Sequence, residues 1–460
     1  MVSKLFNKKN VERVAEAPAY ILDKTVSGSQ KISSFTVNPP VKQVKRYWQS
    51  LGPGLTTGAA DDDPSGIATY SQTGAKYGFQ LLWLAAFTFP LMSIVQEMCA
   101  RIGIVTGRGL AANIRRHFPP WALYVCTLLL LGANTFNIGA DLGAMASATK
   151  LLAPNLNFFL LLGFFTFVSI ALQIFTSYER YAKYLKWLAL ILLSYVFSAL
   201  MIHLDVKNLV THSIIPTLTL NRDQIFLICA ILGTTISPYL FFWQTSQEVE
   251  EEILKGKITI AQREASTNPR QLKKMRIDVW SGMFISNLVM YFIIAACGAV
   301  LFPKGITNID TAAQAAEALR PIAGNGAYLL FTLGIIGTGM LAVPILAGSS
   351  AYAISEALEW KFGLHNKLND AYSFYGVIIF SMVIGLILNL FGIGPIAMLI
   401  YSAVGNGIIA PVILLFIVLL SSDKSIMGQH SSSKFINGIG YLTIFIMGIS
   451  GVAAILSIFF

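Results

Sequence analysis

Three consecutive aspartates, Asp61, Asp62 and Asp63, stand in the middle of an apolar segment, GAADDDPSGIATY (58–70), and are followed at once by Pro64, Ser65 and Gly66. A charged side chain at bilayer depth costs about 2.5–3.5 kcal/mol on insertion scales, so it normally faces a cavity, a partner or an ion. Pro64 withholds an amide hydrogen and clashes with the preceding turn, which frees carbonyl oxygens near the carboxylates. Carboxylate plus freed carbonyl is a cation site. The plainer reading is an acidic loop at the membrane surface, and the apolar flanks argue against it.

A second interruption lies downstream, where LICAILGTTISPYLFFWQ (227–244) breaks at Ser237-Pro238, just after Gly233, Thr234 and Thr235. Paired interruptions in corresponding positions of two halves point to the site of an inverted-repeat carrier, where unwound backbone meets at the midplane. Two unrelated proline kinks are the alternative. With the breaks crossing, Asp63 faces Ser237, and the carbonyls of Ala60 and Thr234 are further donors. Every donor is then oxygen, which hard cations prefer, and no methionine or cysteine stands at either break to select a softer metal. Mg2+ commonly binds through one or two carboxylates with water retained, which suits a wide site lined by small residues such as Gly66 and Ser237. Mn2+ accepts the same oxygens. Aligning the breaks singles out Asp63 as the ligand and leaves Asp61 and Asp62 around it or on its access path.

Other polar residues fall inside apolar runs. Gln244, Gln247 and Glu248 share one helical face by their spacing, either as a hydrophilic exit path or as a helix emerging into solvent. The emerging helix is the preferred reading for Glu250 to Glu252. Asp141, within NIGADLGAMAS, relays ions or pairs with a distant base. Asn406 supplies an amide oxygen to the site or makes a buried structural hydrogen bond. His117 and His203 are not placed to shuttle protons at the breaks, and Trp48, Trp121 and Trp360 read as interfacial anchors.

The elements that must position these residues are membrane helices. Of the 460 residues, 55% are hydrophobic and 12% charged, against about a quarter charged in soluble domains. Apolar runs of spanning length occupy 48–76, 79–105, 119–150, 156–175, 182–204, 223–252, 277–302, 324–357, 371–392, 394–421 and 436–458. The fold class is therefore all-α integral membrane, with eleven transmembrane helices, the first and sixth broken, in an inverted 5+5 repeat. A cytoplasmic tail (1–46), a ten-helix core (47–421) and a loop with the eleventh helix (422–460) follow. The first 45 residues are polar and carry no cleavable signal.

The net charge of +10 does not point to nucleic acid, because Lys and Arg lie in alternate short loops. Lys42, Lys45 and Arg46, then Arg101 to Arg116, then Arg180 to Lys186, then Lys255 to Arg276 share one side, which the positive-inside rule makes the cytoplasm. The N-terminus is then inside and the C-terminus outside a cell (inner) membrane. The polar stretch 253–276 reads as a solvated cytoplasmic connector. Cys99, Cys126, Cys229 and Cys297 sit in apolar runs without metal-pair spacing and read as core residues.

The two broken stretches also carry a family resemblance. LGPGLTTGAADDDPSGIATYSQTGAKYGFQLLW resembles the opening of the Nramp divalent-metal transporters, with their G-P-G start, D-P-G-N break and G-A-Q-[FY]-G-Y-x-L-L-W continuation. LGTTISPYLFFWQTS looks like their sixth-helix break, usually M-P-H. The resemblance implies the inverted-repeat fold of the leucine-transporter class. Asp63 and Pro64 match, but Gly66 stands where the family has its Asn ligand, Ser237 replaces the metal-binding Met, and Tyr239 replaces the His. The family's acidic pair on the third helix appears as Asp141 and Ala144. The chain most resembles the Nramp-related magnesium transporter branch, which has D-P-S-G with a non-Met sixth helix and implies Mg2+ or Mn2+ carriage without proton coupling. The alternatives are a proton-coupled Mn2+/Fe2+ transporter of the general Nramp type, an amino-acid or organic-solute symporter of the same fold, and a non-transporting sensor or scaffold. No nucleophile–base set, phosphate loop or cofactor motif suggests an enzyme. The expected partners are the transported cation and the bilayer, with no nucleic acid, for a chain acting as a monomer.

Overall fold

Pro64 and Pro238 each begin a helix rather than bend one. Proline is tolerated at the first helical position, where its missing N–H has no intrahelical partner to lose. In the computed structural model, which describes residues 52–176, 197, 206–219 and 221–459, the first span is accordingly two segments, α1 (Pro53–Asp61) and α2 (Pro64–Tyr77). The chain continues through α3 (Trp83–Thr106), the short α4 (Leu110–His117), α5 (Pro120–Leu152) and α6 (Phe158–Phe175). The second broken span is α7 (Arg222–Thr235) with α8 (Pro238–Leu254), followed by the short α9 (Ile260–Ala265). Then come α10 (Pro269–Val300), α11 (Ala327–Leu358), α12 (Tyr372–Leu388), α13 (Pro395–Ser422) and α14 (Lys434–Phe459).

Among the described residues, nine helical stretches are long and apolar enough to cross a membrane, the two halves of the second broken span counting as one. The α1–α2 pair adds the first span of the expected set. The architecture is the multi-span all-helical one read from the sequence. The tail 1–46 and the span 182–204 apart from Phe197, with Arg180, Lys183, Lys186, His203 and Trp48, lie outside the described residues.

Two boundaries differ from the sequence reading for identifiable reasons. α10 starts at Pro269, not near 277, because the Asn268 side chain caps it, accepting from Gln271 N at 3.0 Å. Hydropathy sees only where a helix becomes apolar, not where it begins. The connector 253–276 is likewise partly helical, since Thr259 and Gln262 form a reciprocal capping box at the start of α9. The division near Phe391 holds: α12 runs into a 3-10 turn, Gly392 takes φ +74°, and Pro395 opens α13.

The broken spans lie at the centre. α1 and α2 pack on α10, α7 packs on α13, and α8 packs on α3. α6, α12 and α14 sit outside, with Leu160, Phe167 and Phe445 at 74%, 71% and 64% exposure facing where lipid would be. The α1–α10 contact is backbone on backbone: a Cβ on Gly58 would collide with the backbone of Gly282, as small-residue packing in membranes requires. Carbonyls and amides near the break can therefore approach a neighbour without a side chain between. The four cysteines are buried and free, as core residues. Trp121 and Trp360 stand partly exposed near helix ends.

Candidate functional site

The Asp63 carboxylate is built into the start of α2. As N-cap residue in extended conformation it accepts from Gly66 N at 2.7 Å and from Ser65 Oγ at 2.6 Å, both through Oδ1. The half-helix thus presents its amide end to the charge, an arrangement the peptide dipoles favour. Oδ2 accepts from Asn137 Nδ2 of α5 at 3.0 Å, and Asn137 Oδ1 in turn accepts from Ser402 Oγ of α13 at 2.9 Å. Three separate helices hold one side chain that is 1% exposed.

The two breaks meet. Tyr239, just inside α8, donates its hydroxyl to the carbonyl of Ala60 at 2.9 Å. Gly66 lies so close to α7 that a Cβ there would be 3.2 Å from Thr234 Oγ1 and 3.3 Å from the Asp61 carbonyl. A longer side chain at 66 would have to displace one of them. Ser237 begins α8 but does not cap it: its hydroxyl donates back to the carbonyls of Gly233 at 2.8 Å and Thr234 at 2.7 Å. Its donor is spent on the open end of α7 rather than turned to Asp63, while its oxygen lone pairs stay available.

Around this centre the remaining polar groups separate into two kinds. Asp61 and Asp62 are buried and share one donor from α10, Ser286 Oγ, at 2.5 Å to Asp61 Oδ2 and 3.4 Å to Asp62 Oδ1. Gln244 accepts from Thr57 Oγ1 at 2.6 Å and donates to Glu248 Oε1 at 2.9 Å, so a polar row joins α1 to α8 below the breaks. By contrast, both carboxylate oxygens of Asp141, both amide atoms of Asn406 and Nε2 of Gln247 are buried with no hydrogen-bond partner among the described residues. Buried polar atoms without partners are costly and call for a ligand, an ion or water.

Sequence reasoning missed Asn137, Ser286 and Asp278. The Asp278 carboxylate of α10 accepts from the backbone amides of Gly52, Gly54 and Leu55 at 2.7, 2.8 and 3.2 Å, capping α1 from a neighbouring helix. For Asn137 a signal existed: Asn134, Asn137 and Asp141 recur at three and four residues on one face of an apolar helix. The reading of Glu250 to Glu252 as a helix emerging into solvent is corrected for two of the three. Glu250 is buried and accepts from Tyr352 Oη at 2.7 Å and Leu364 N at 3.0 Å, with His365 Nδ1 at 2.6 Å. Glu252 is buried and bonds Lys255, Lys257 and Gln271. Tyr352 of α11, Gln271 of α10 and the loops after α8 and α11 supply those partners.

Beyond α2, a cavity of about 340 Å3 lies where α2 ends and α7 and α13 begin, lined by Gln72, Lys76, Asp223, Asp310 and Tyr401 among others. Lys76 and Asp223 form an ion pair there at 2.6 Å. Nearer the breaks, Ile67, Ala68, Ile396 and Leu399 close on a space of only about 10 Å3. That is room for about one water. Among the described residues no group of three or more His, Cys, Asp or Glu could hold a metal ion.

The chain is similar to known proteins over most of its length. A family model described as "Natural resistance-associated macrophage protein-like" (Nramp) matches residues 54–457. The divalent metal cation transporter MntH of Yersinia enterocolitica is 27% identical over 426 residues, covering 90% of this chain and 97% of that protein. The protein of the same description from Aeromonas hydrophila is 24% identical over 404 residues, covering 86% and 92%. Among solved structures, the Eremococcus coleocola manganese transporter superposes with TM-score 0.70 at 15% identity, covering 90% of this chain and 88% of that one. Mhp1, a nucleobase-cation-symport-1 family transporter, gives TM-score 0.53 at 16% identity, covering 88% and 91%. These structural likenesses establish the fold, the inverted repeat of the leucine-transporter class.

Proposed function

The chain belongs to the natural resistance-associated macrophage protein-like (Nramp) family, and on that premise we propose that it carries hard divalent cations, Mg2+ and also Mn2+, into the cytoplasm by alternating access without proton coupling. Divalent metal cation transport is the activity of its named relatives. The observation that carries the finer reading is the oxygen set where the breaks meet: the Asp63 carboxylate, the carbonyls of Ala60 and Thr234 and the Ser237 hydroxyl, with the Tyr239 hydroxyl holding the Ala60 carbonyl. Oxygen-only surroundings favour hard cations over thiophilic metals.

In this reading Asp63 binds the ion or its water shell, and Ala60, Thr234 and Ser237 add oxygen. Asp61, Asp62, Gly66, Tyr239, Gln244, Gln247, Asp141 and Asn406 shape the surroundings or the path. With the N-terminus inside and the C-terminus outside the inner membrane, the inside-negative potential drives entry. It is worth roughly 2.3 kcal/mol per charge per 100 mV, hence about 4.6 kcal/mol for a divalent ion.

A second reading, proton-coupled Mn2+ or Fe2+ transport, is supported by a different observation. Asp141 is a buried carboxylate with neither oxygen bonded, on the same helix as Asn137. One solved structure of the same fold is that of a manganese transporter. Uptake into proteoliposomes with an imposed potential and a pH dye inside separates the two. Mg2+ entry without acidification, lost in Asp63→Ala, supports the first; acidification that tracks metal entry and disappears in Asp141→Asn supports the second. Amino-acid flux with no metal flux overturns both.

A further inference from the structure

At the far end of α8 from the breaks, the short helices α4 and α9 border a cavity of about 640 Å3. Its wall carries four guanidinium groups, those of Arg108, Arg115, Arg116 and Arg263, together with His365, against the two carboxylates of Glu356 and Glu359. Glu356 is committed to protein, accepting from Ala112 N at 3.0 Å and Ser246 Oγ at 3.3 Å. Arg115 pairs with Glu359 at 2.7 Å and Arg108 with Glu264 at 2.6 Å, but those carboxylates are 74% and 45% exposed. Solvated pairs of this kind are worth little and exchange partners cheaply. Among the described residues Arg263 donates to the carbonyls of Gly107, Lys257 and Ile258 and to no carboxylate. Arg116 makes no ion pair among the described residues. His365 is hydrogen-bonded to Glu250, which raises its pKa and extends the range over which the ring is positive. The wall is built for an anion.

The same cavity is rimmed by apolar groups in contact with solvent. Ile258, Ile260 and Trp360 are 74%, 37% and 38% exposed, and Ile253 and Phe362 lie further in. A small free anion has no use for them. α4 adds an amphipathic element, with Leu110, Ala111 and Ile114 buried and Arg115 and Arg116 exposed. Basic side chains beside exposed isoleucine and tryptophan, on short helices at the end of a bundle, match the headgroup level of a bilayer. By the distribution of basic loops this is the cytoplasmic level.

We propose that this cavity binds the phosphate-bearing headgroup of an anionic phospholipid, with the guanidinium groups around the phosphate and the acyl chains over Ile258, Ile260 and Trp360. Basic pockets between membrane helices recognise such headgroups through the same combination of charge and burial.

The test is native mass spectrometry of the full-length protein in mild detergent, supplied with phosphatidylglycerol or with phosphatidylcholine of the same acyl chains. Phosphatidylglycerol is expected to be retained preferentially, with retention falling about fivefold in Arg116→Ala. Arg116→Ala breaks no ion pair among the described residues, and an unchanged melting temperature separates lost binding from lost fold. Arg270→Ala removes the same charge from an exposed position outside the cavity and is expected to leave retention unchanged. Equal retention of the two lipids overturns the proposal, as does an equal loss in Arg270→Ala. Displacement of the lipid by an equal concentration of inorganic phosphate also overturns it, because the ligand would then be the free anion.

Discussion

Asn137 stands 3.0 Å from Asp63 and is itself fixed by Ser402, so the carboxylate at the first break is aimed by a side chain 74 residues away in sequence. A hydrogen bond to a charged group contributes about 1.5–3 kcal/mol. Replacing Asn137 by Ala is therefore expected to lower kcat/KM for metal uptake by roughly ten- to hundredfold. Ser402→Ala only loosens the amide and should cost less. Equal uptake by Asn137→Ala and wild type would show that Asp63 needs no aiming.

Tyr239→Phe removes the hydroxyl that holds the Ala60 carbonyl but leaves the ring packed. One neutral hydrogen bond is worth about 0.5–1.5 kcal/mol. Uptake should fall by less than about tenfold, and the melting temperature should drop only slightly. A complete loss of transport would mean that Tyr239 touches the ion directly.

Metal binding to the folded state alone raises stability by mass action, about 2.7 kcal/mol at a hundredfold excess over Kd. The purified protein should therefore melt at a higher temperature with Mg2+ or Mn2+ present. In Asp63→Asn that increment should vanish while the metal-free melting temperature stays close to wild type. An increment that survives in Asp63→Asn would place the ion elsewhere.

His365 gives a pH-dependent term. Its hydrogen bond to Glu250 raises its pKa above the ordinary value of 6.5. A raised folded-state value means that the stabilisation is fully present below pH 6.5 and is lost as pH rises through the folded-state value. The melting temperature should thus decline as pH is raised from 6 into the range above 6.5, and His365→Gln should flatten that decline. Thermal scans of the two proteins across pH provide the check.

The two breaks were legible because a proline after a polar residue in an apolar run interrupts a membrane helix, and the spans were legible because bilayer thickness fixes their length. The start of α10 was not, since its first two turns, Pro269 to Arg276, are polar and only the Asn268 cap marks them. The partners of the aspartates were hidden for a topological reason. Ser286 is 225 residues from Asp61 and Asp278 is 224 from Gly54, separations that only the packing of α10 on α1 closes. Ser237 was readable as an oxygen donor by type, but the direction of its hydroxyl depends on which carbonyls the end of α7 leaves open. Glu250 read as solvent-facing because Tyr352 and His365 reach it from a later helix and a later loop.

The Asp278 cap has a mechanical consequence. α1 is only nine residues long; its leading amides are clasped by α10, and its trailing end leads directly into Asp62 and Asp63. A segment so short has no give of its own, so it tilts as a rigid strut. Any tilt that carries Thr57 away from Gln244 has to drag α10 with it or let three amide hydrogens go. The Asp278 carboxylate at one end of α1, the Gly58–Gly282 backbone contact along it and Ser286 on Asp61 at the other end thus couple α1 to α10 over its whole length.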